Sequence, residues 1–296
     1  MHPTLVEGVR PPSVVQFTTL PAAPSPPGTR TWYGRTEHLV LAYIEAQDEV
    51  RLQCGQNDDE QTLILPDTGA RARVMAGHED TWLEGRCIAI VPPGETEIVL
   101  PTQGRIVRVM TARSVPQLAA CAANAAVYHD RDDYVTDLEP WPAPPNGFRV
   151  RQYGIERLPM LSGTTGWMFR STNQLISWGY GHNGWTTRSG ADEVVGVGAH
   201  SHEDFEQIML LLHGTLRVHL RVPWTLDSND WVPDMHVVLT PPAFVAVPPR
   251  VIHVADGNGV EIGIWCPPRR DWAPSVLNRD EYPLAAPPES RQPVDV

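Results

Sequence analysis

The sequence predicts an all-β chain of two sandwich- or barrel-type modules, and three observations support this. Thirty prolines and 23 glycines are spread along 296 residues with few long stretches of helical periodicity, which favours short strands and many turns. Short apolar runs recur at close intervals from residue 31 onward. An internal repeat then divides the chain. Val91-Pro-Pro-Gly-Glu-Thr-Glu97 lies over Val247-Pro-Pro-Arg-Val-Ile-His253, and Glu60-Gln61-Thr-Leu-Ile-Leu65 lies over Glu206-Gln207-Ile-Met-Leu-Leu211.

Residues 1–30 carry Pro11-Pro12 and Pro21-Ala-Ala-Pro-Ser-Pro-Pro-Gly28, too much proline for a regular element, and read as an arm lying on a surface. The first module spans 31–113, with strand-like runs at 31–33, 38–45, 62–65, 87–91 and 105–110. A linker covers 114–148. Its alanine-rich part, 114–128, places Leu118, Ala122 and Val127 near helical spacing and predicts a short connecting helix, which the proline-rich stretch 139–147 ends. The second module spans 149–270, with strands expected at 148–153, 166–178, 208–212, 215–222 and 243–247 and loops at 179–184 and 222–231. A tail of 271–296 is again rich in Pro, Asp and Arg.

The balance of 23 basic and 35 acidic residues, net −12, argues against nucleic acid or an anionic membrane as partner and for a small molecule. All the basic residues are arginine, so Schiff-base and lysine general-base mechanisms are excluded. Cys54, Cys87, Cys121 and Cys266 are far apart and form no Cys-x-x-Cys pair, and no signal peptide or long apolar run is evident, so a reducing cytoplasm is expected.

The chemistry concentrates in residues 198–214. In an extended chain residues i and i+2 point the same way, so His200 and His202 can reach one ion. The polar turn Glu203-Asp204-Phe205 resets the face before Gln207, and a proline-stiffened turn after the strand at 243–247 delivers His253. Glu206 and Gln207 compete for one position, since a one-residue slip exchanges the faces of a strand. Gln207 keeps both the four-residue offset from His202 and the six-residue offset to Gly214; Glu206 then reads as a solvated strand-edge carboxylate, with a catalytic base as the alternative. Arg217, His219 and Arg221 share one face of a strand, turned either to a cavity or to solvent. Trp178, Tyr180 and His182 are candidates for the cavity lip, while His213 is expected in a turn and His236 in a strand.

His-x-His, four residues, Gln, six residues, Gly, then Pro-x-x-x-x-His, resembles the metal-site pattern of the cupin superfamily. Cupins usually have Glu where this chain has Gln207 and Gly where it has Arg250. The resemblance implies two jelly-roll β-barrels, a metal held by His200, His202, Gln207 and His253, and by analogy with other bicupins a homodimer. Three imidazoles and a carboxamide form a neutral donor set suited to one divalent transition metal, Mn, Fe, Ni, Co or Zn. In the repeat overlay Cys54, Gln56, Gln61 and Glu97 take the places of these four, so the first module is expected to be metal-free.

Bicupins that keep metal only in the second module include uronate ketol-isomerases, and glutamine as fourth ligand occurs in non-oxidative cupins. The resemblance therefore implies a metal-dependent isomerase or lyase acting on a small hydroxy-carbonyl or sugar-acid substrate. A non-haem dioxygenase of enols or diketones is the alternative. A third reading is a non-catalytic bicupin that binds a metabolite.

Overall fold

The structure, a computed structural model, describes residues 8–139, 141–158, 166–180, 187–189, 193–195, 198–268 and 276–282. Strand β1 (Ser13–Gln16) comes first. Then follow β2 (Thr29–Arg35), β3 (Leu39–Ala46), β4 (Val50–Asn57), β5 (Gln61–Leu65) and β6 (Arg71–Ala76). β7 (Glu79–Glu84), β8 (Cys87–Val91), β9 (Gly94–Leu100), β10 (Gly104–Thr111) and β11 (Arg151–Gly154) continue the chain. A six-stranded sheet in the order β11-β8-β5-β10-β3-β2 faces a four-stranded sheet, β4-β9-β6-β7. Leu63 and Leu65 from one sheet and Val74 and Ile98 from the other fill the barrel between them.

The second barrel uses β12 (Gly166–Arg170), β13 (Leu175–Tyr180), β14 (Thr187–Ser189), β15 (Glu193–Val195), β16 (Glu206–Arg221), β17 (Met235–Leu239), β18 (Ala243–Val247) and β19 (Ile252–Cys266). Its main sheet runs β1-β18-β16-β19-β13-β12, with β17 on the far half of β16. The run expected as one strand over 166–178 is two, because Ser171 accepts the turn: Ser171 N–H donates to Gln174 O and Gln174 N–H to Ser171 Oγ.

Gly214 does not end a strand as expected. β16 continues for 16 residues against β19, with a register shift between Leu211 and His213, so His213 lies at a bulge rather than in a turn. Gly214 has φ +85°, and a Cβ there would stand 1.9 Å from Asn258 O. Only glycine fits. The bulge bends the strand pair and resets its alternation: Met209 and Leu211 point into the barrel before it, Leu216, Val218 and Leu220 after it.

The two barrels pack back to back. Leu41, Tyr43 and Val107 on the outer face of the six-stranded sheet meet Ile208, Leu210 and Ile262 on the second barrel's main sheet. Residues alternating along β5 and the first half of β16 thus serve two cores, which is why residues 63–65 and 208–212 read as unbroken apolar runs in the sequence. Each barrel also takes an edge strand from outside its own span. β1, within the arm expected to lie irregularly on a surface, pairs with β18, and β11 pairs with β8 of the first barrel. Phe17, just after β1, is fully buried and stacks on Tyr43 at 5.4 Å.

The expected connecting helix is shorter than predicted: an α-helix at Pro116–Ala120 and a 3₁₀ turn at Ala125–Tyr128. Among the described residues no helix is long and apolar enough to cross a membrane.

Candidate metal centre

His200 and His253 form an isolated antiparallel bridge, with His200 N–H donating to His253 O at 3.1 Å and His253 N–H to His200 O at 2.8 Å. This pairing sets the two imidazoles side by side, ring centroids 4.4 Å apart. His202, two residues on, joins them at 4.9 Å from His253, its ring packed on Phe205. One nitrogen from each of the three lies within 4.8 Å of the others. The turn between His253 and β18 needs a left-handed residue, and Arg250 supplies it at φ +68° in place of the usual glycine. Its backbone N–H donates to His202 O and its guanidinium stacks over Tyr134 at 4.1 Å, contacts that offset the strain.

Gln207 completes the group. Its parity is that of Met209 and Leu211, so it points into the barrel. Its Oε1 lies 2.7 Å from His202 Nε2 and 3.0 Å from His253 Nε2. His253 Nδ1 lies 2.9 Å from Val251 O and His200 Nδ1 2.9 Å from Gly198 O. Donation from Nδ1 to these carbonyls leaves each Nε2 lone pair free toward the centre. Burial, with the other two imidazoles adding to it, pushes His253 down to about 3, so it stays a neutral donor. Three imidazoles and an amide oxygen gathered in this way fit a divalent transition metal.

Glu206 faces the other way. It is buried rather than solvated, and its carboxylate accepts the backbone N–H of Glu37 in the β2–β3 turn at 2.8 Å. Burial raises its pKa to about 7. It is a tie between the barrels, separate from the imidazole cluster. Trp178 is also removed from any cavity lip, since it is fully buried in the core between the barrels. Arg217 and Arg221 are on the solvent face of β16, beside Asp256 and Asp234, and His219 pairs across the same face with His236 of β17. The bulge had left that choice open to sequence reasoning. Tyr180 ends β13, but its side chain, like His182, lies outside the described residues.

In the first barrel Gln61 occupies the place of Gln207, the two facing Val91 and Val247 alike. Cys54 turns inward as the overlay expects, but Gln56 is exposed. Thr96, rather than Glu97, faces Gln61. Its Oγ1 accepts from Gln61 Nε2 at 3.2 Å, while Glu97 lies on the outer face against Arg51. A one-residue difference in the turn before β9 reverses the parity. The Arg108 guanidinium, missed in the sequence, donates to Gln61 Oε1 at 2.9 and 3.2 Å and so puts a fixed positive charge where the second barrel gathers its imidazoles.

No family model matches the chain, and no curated protein does. Solved structures do. The protein Ylba from E. coli is similar over 91% of this chain and 96% of its own, at 11% identity and a TM-score of 0.54. An oxalate decarboxylase from Lactobacillus farciminis, solved as a formate complex, matches over 93% and 92% at 11% identity and 0.54. The 7S globulin of Momordica charantia matches over 86% and 84% at 14% identity and 0.54. These likenesses bear on fold and not on the uronate-isomerase resemblance. Near-complete coverage of both chains, with two back-to-back jelly rolls and a histidine cluster in the second, gives this protein the bicupin fold.

Proposed function

We propose that this protein is a metal-dependent enzyme of non-oxidative chemistry, an isomerase or lyase acting on a small hydroxy-carbonyl or sugar-acid-like substrate. The observation that carries the reading is the donor set: three imidazoles and the Gln207 amide oxygen converging inside one barrel, with no carboxylate joining them among the described residues. A bound divalent metal would act there as a Lewis acid toward a substrate carbonyl, its charge undiminished by an anionic ligand. The chain's own part is placement. The His200–His253 bridge and the Val251 and Gly198 carbonyls fix the rings, and Phe205 and Trp265 wall the site on the side of the main sheet. A lyase of small carboxylates, oxalate decarboxylase, uses the same fold, which supports the reaction class without specifying the substrate.

The test is metal analysis of purified protein combined with anaerobic turnover. We expect about one transition-metal ion per chain, lost in His253→Ala, and activity on hydroxy-carbonyl compounds that persists without dioxygen. Activity that requires dioxygen would replace this reading with an oxygenase.

A further inference from the structure

The strand trios β5-β10-β3 and β16-β19-β13 share one register, so their interior positions correspond. In the first barrel β3 and β10 pair Ala42 with Arg108 and Ile44 with Ile106. In the second, β13 and β19 pair Ser177 with Gly263 and Gly179 with Glu261. These correspond one to one, because Leu63 faces Arg108 as Met209 faces Gly263. All four first-barrel residues are buried and fill the interior. Of their counterparts, Ser177, Gly179 and Glu261 keep accessible surface, although Trp178 and Ile262 on the opposite face of the same strands have none. The Trp265 indole folds over Gly263, but a Cβ on Gly179 would meet nothing closer than Glu261 O at 3.6 Å. Among the described residues, the second barrel is more open at these positions than the first.

Glu261 stands in the wall of that open stretch, with no hydrogen bond or ion pair to a described residue. Its cross-strand neighbours are Leu211 and Gly179, neither able to pair with a carboxyl side chain. Burial alone raises its pKa to about 7. An aliphatic residue suffices at the equivalent place, Ile106, so the fold does not require an acid there. Trp265, opposite Gln207, lies four residues away along β19, which is about 13 Å of strand. That separation sets Glu261 apart from the strand position that faces Gln207. It suits a group that reads the far end of a ligand.

We propose that Glu261 is the specificity-determining residue of the second barrel, binding a hydroxyl or amine at the tail of a small molecule whose head lies at His200, His202 and His253. This rests on the metal-centre reading for the head but not for the tail.

The test measures binding of glycolate, glycerate, erythronate and gluconate, one hydroxy-acid head on tails of increasing length, to manganese-loaded protein by calorimetry. Wild type should gain at least about tenfold in affinity from glycolate to gluconate. Glu261→Gln and Glu261→Ile should flatten that gain and leave glycolate within about twofold. Wild-type affinity independent of tail length, or a gain that survives in both variants, overturns the proposal. If glycolate binds equally after metal removal, the metal-centre reading fails, while the tail dependence still decides the role of Glu261. Thermal unfolding gives a ligand-free check: Glu261→Ile should raise the midpoint at pH 8, and a fall would show a structural role instead.

Discussion

The carboxylate of Glu206 accepts the backbone N–H of Glu37, at 2.8 Å, across the boundary between the two barrels. Its counterpart Glu60 does the same in reverse, taking Thr172 N–H and Oγ1 at 2.9 Å each and the Tyr282 hydroxyl at 2.7 Å. Each barrel caps a turn of the other with the residue just before its inward glutamine. Burial raises the pKa of both carboxyls. Removing Glu60 strands three buried donors, so Glu60→Ala should cost about 3 kcal/mol or more, and Glu206→Ala about 2 kcal/mol. Urea unfolding of each variant checks the order.

Metal retention should depend on the imidazoles individually. His200→Ala and His253→Ala each remove a donor with a fixed lone pair and should lower divalent-metal affinity by on the order of a hundredfold, about 3 kcal/mol. Competition with a chromophoric chelator measures it.

Gln207→Glu places a negative charge among three neutral donors. It should tighten divalent-metal binding by roughly tenfold and slow any reaction that relies on the metal's Lewis acidity. The same chelator assay, run beside turnover, separates the two effects.

Stability should vary with pH through Glu261. Its folded pKa, about 7, lies above the ordinary carboxyl value, so the fold binds the proton more tightly than the unfolded chain. That contribution is fully present below about pH 4 and is lost as pH rises through 7. Wild type should therefore lose on the order of 1–3 kcal/mol between pH 5 and pH 8 relative to Glu261→Ile, measured by unfolding the two side by side.

Gly214→Ala would combine a left-handed φ of +85° with a Cβ 1.9 Å from Asn258 O. A loss of about 3 kcal/mol is expected, with the β16–β19 register disturbed. Thermal unfolding and amide exchange at residues 213–216 would report it.

Much of this was legible in the residues because alternation and spacing are local. The runs at 87–91 and 243–247 are strands β8 and β18 as bounded, and the offsets around Gln207 selected the inward residue over Glu206. What local pattern does not encode is which side of a strand another barrel covers. Trp178 and Arg217 are both in strands, yet one fills the core between barrels and the other faces solvent, a distinction set by the packing of the outer sheet faces and by a bulge the sequence marks only as Gly214. Thr96 escaped for a similar reason, since one residue of turn length reverses every side chain after it. Glu261 lies in an otherwise apolar run, and what distinguishes it is the lack of a partner among the described residues.

Because β1 is sewn to β18 and β11 to β8, neither half of this protein can be lifted out intact by cutting at the linker. A fragment ending near residue 140 would leave β8 with an open border, and one beginning there would do the same to β18, each a ready template for sticking to a neighbour. Dissecting the two barrels therefore calls for point substitutions in the whole chain. A permuted chain, with its ends moved elsewhere and both borrowed strands kept in place, would serve equally well.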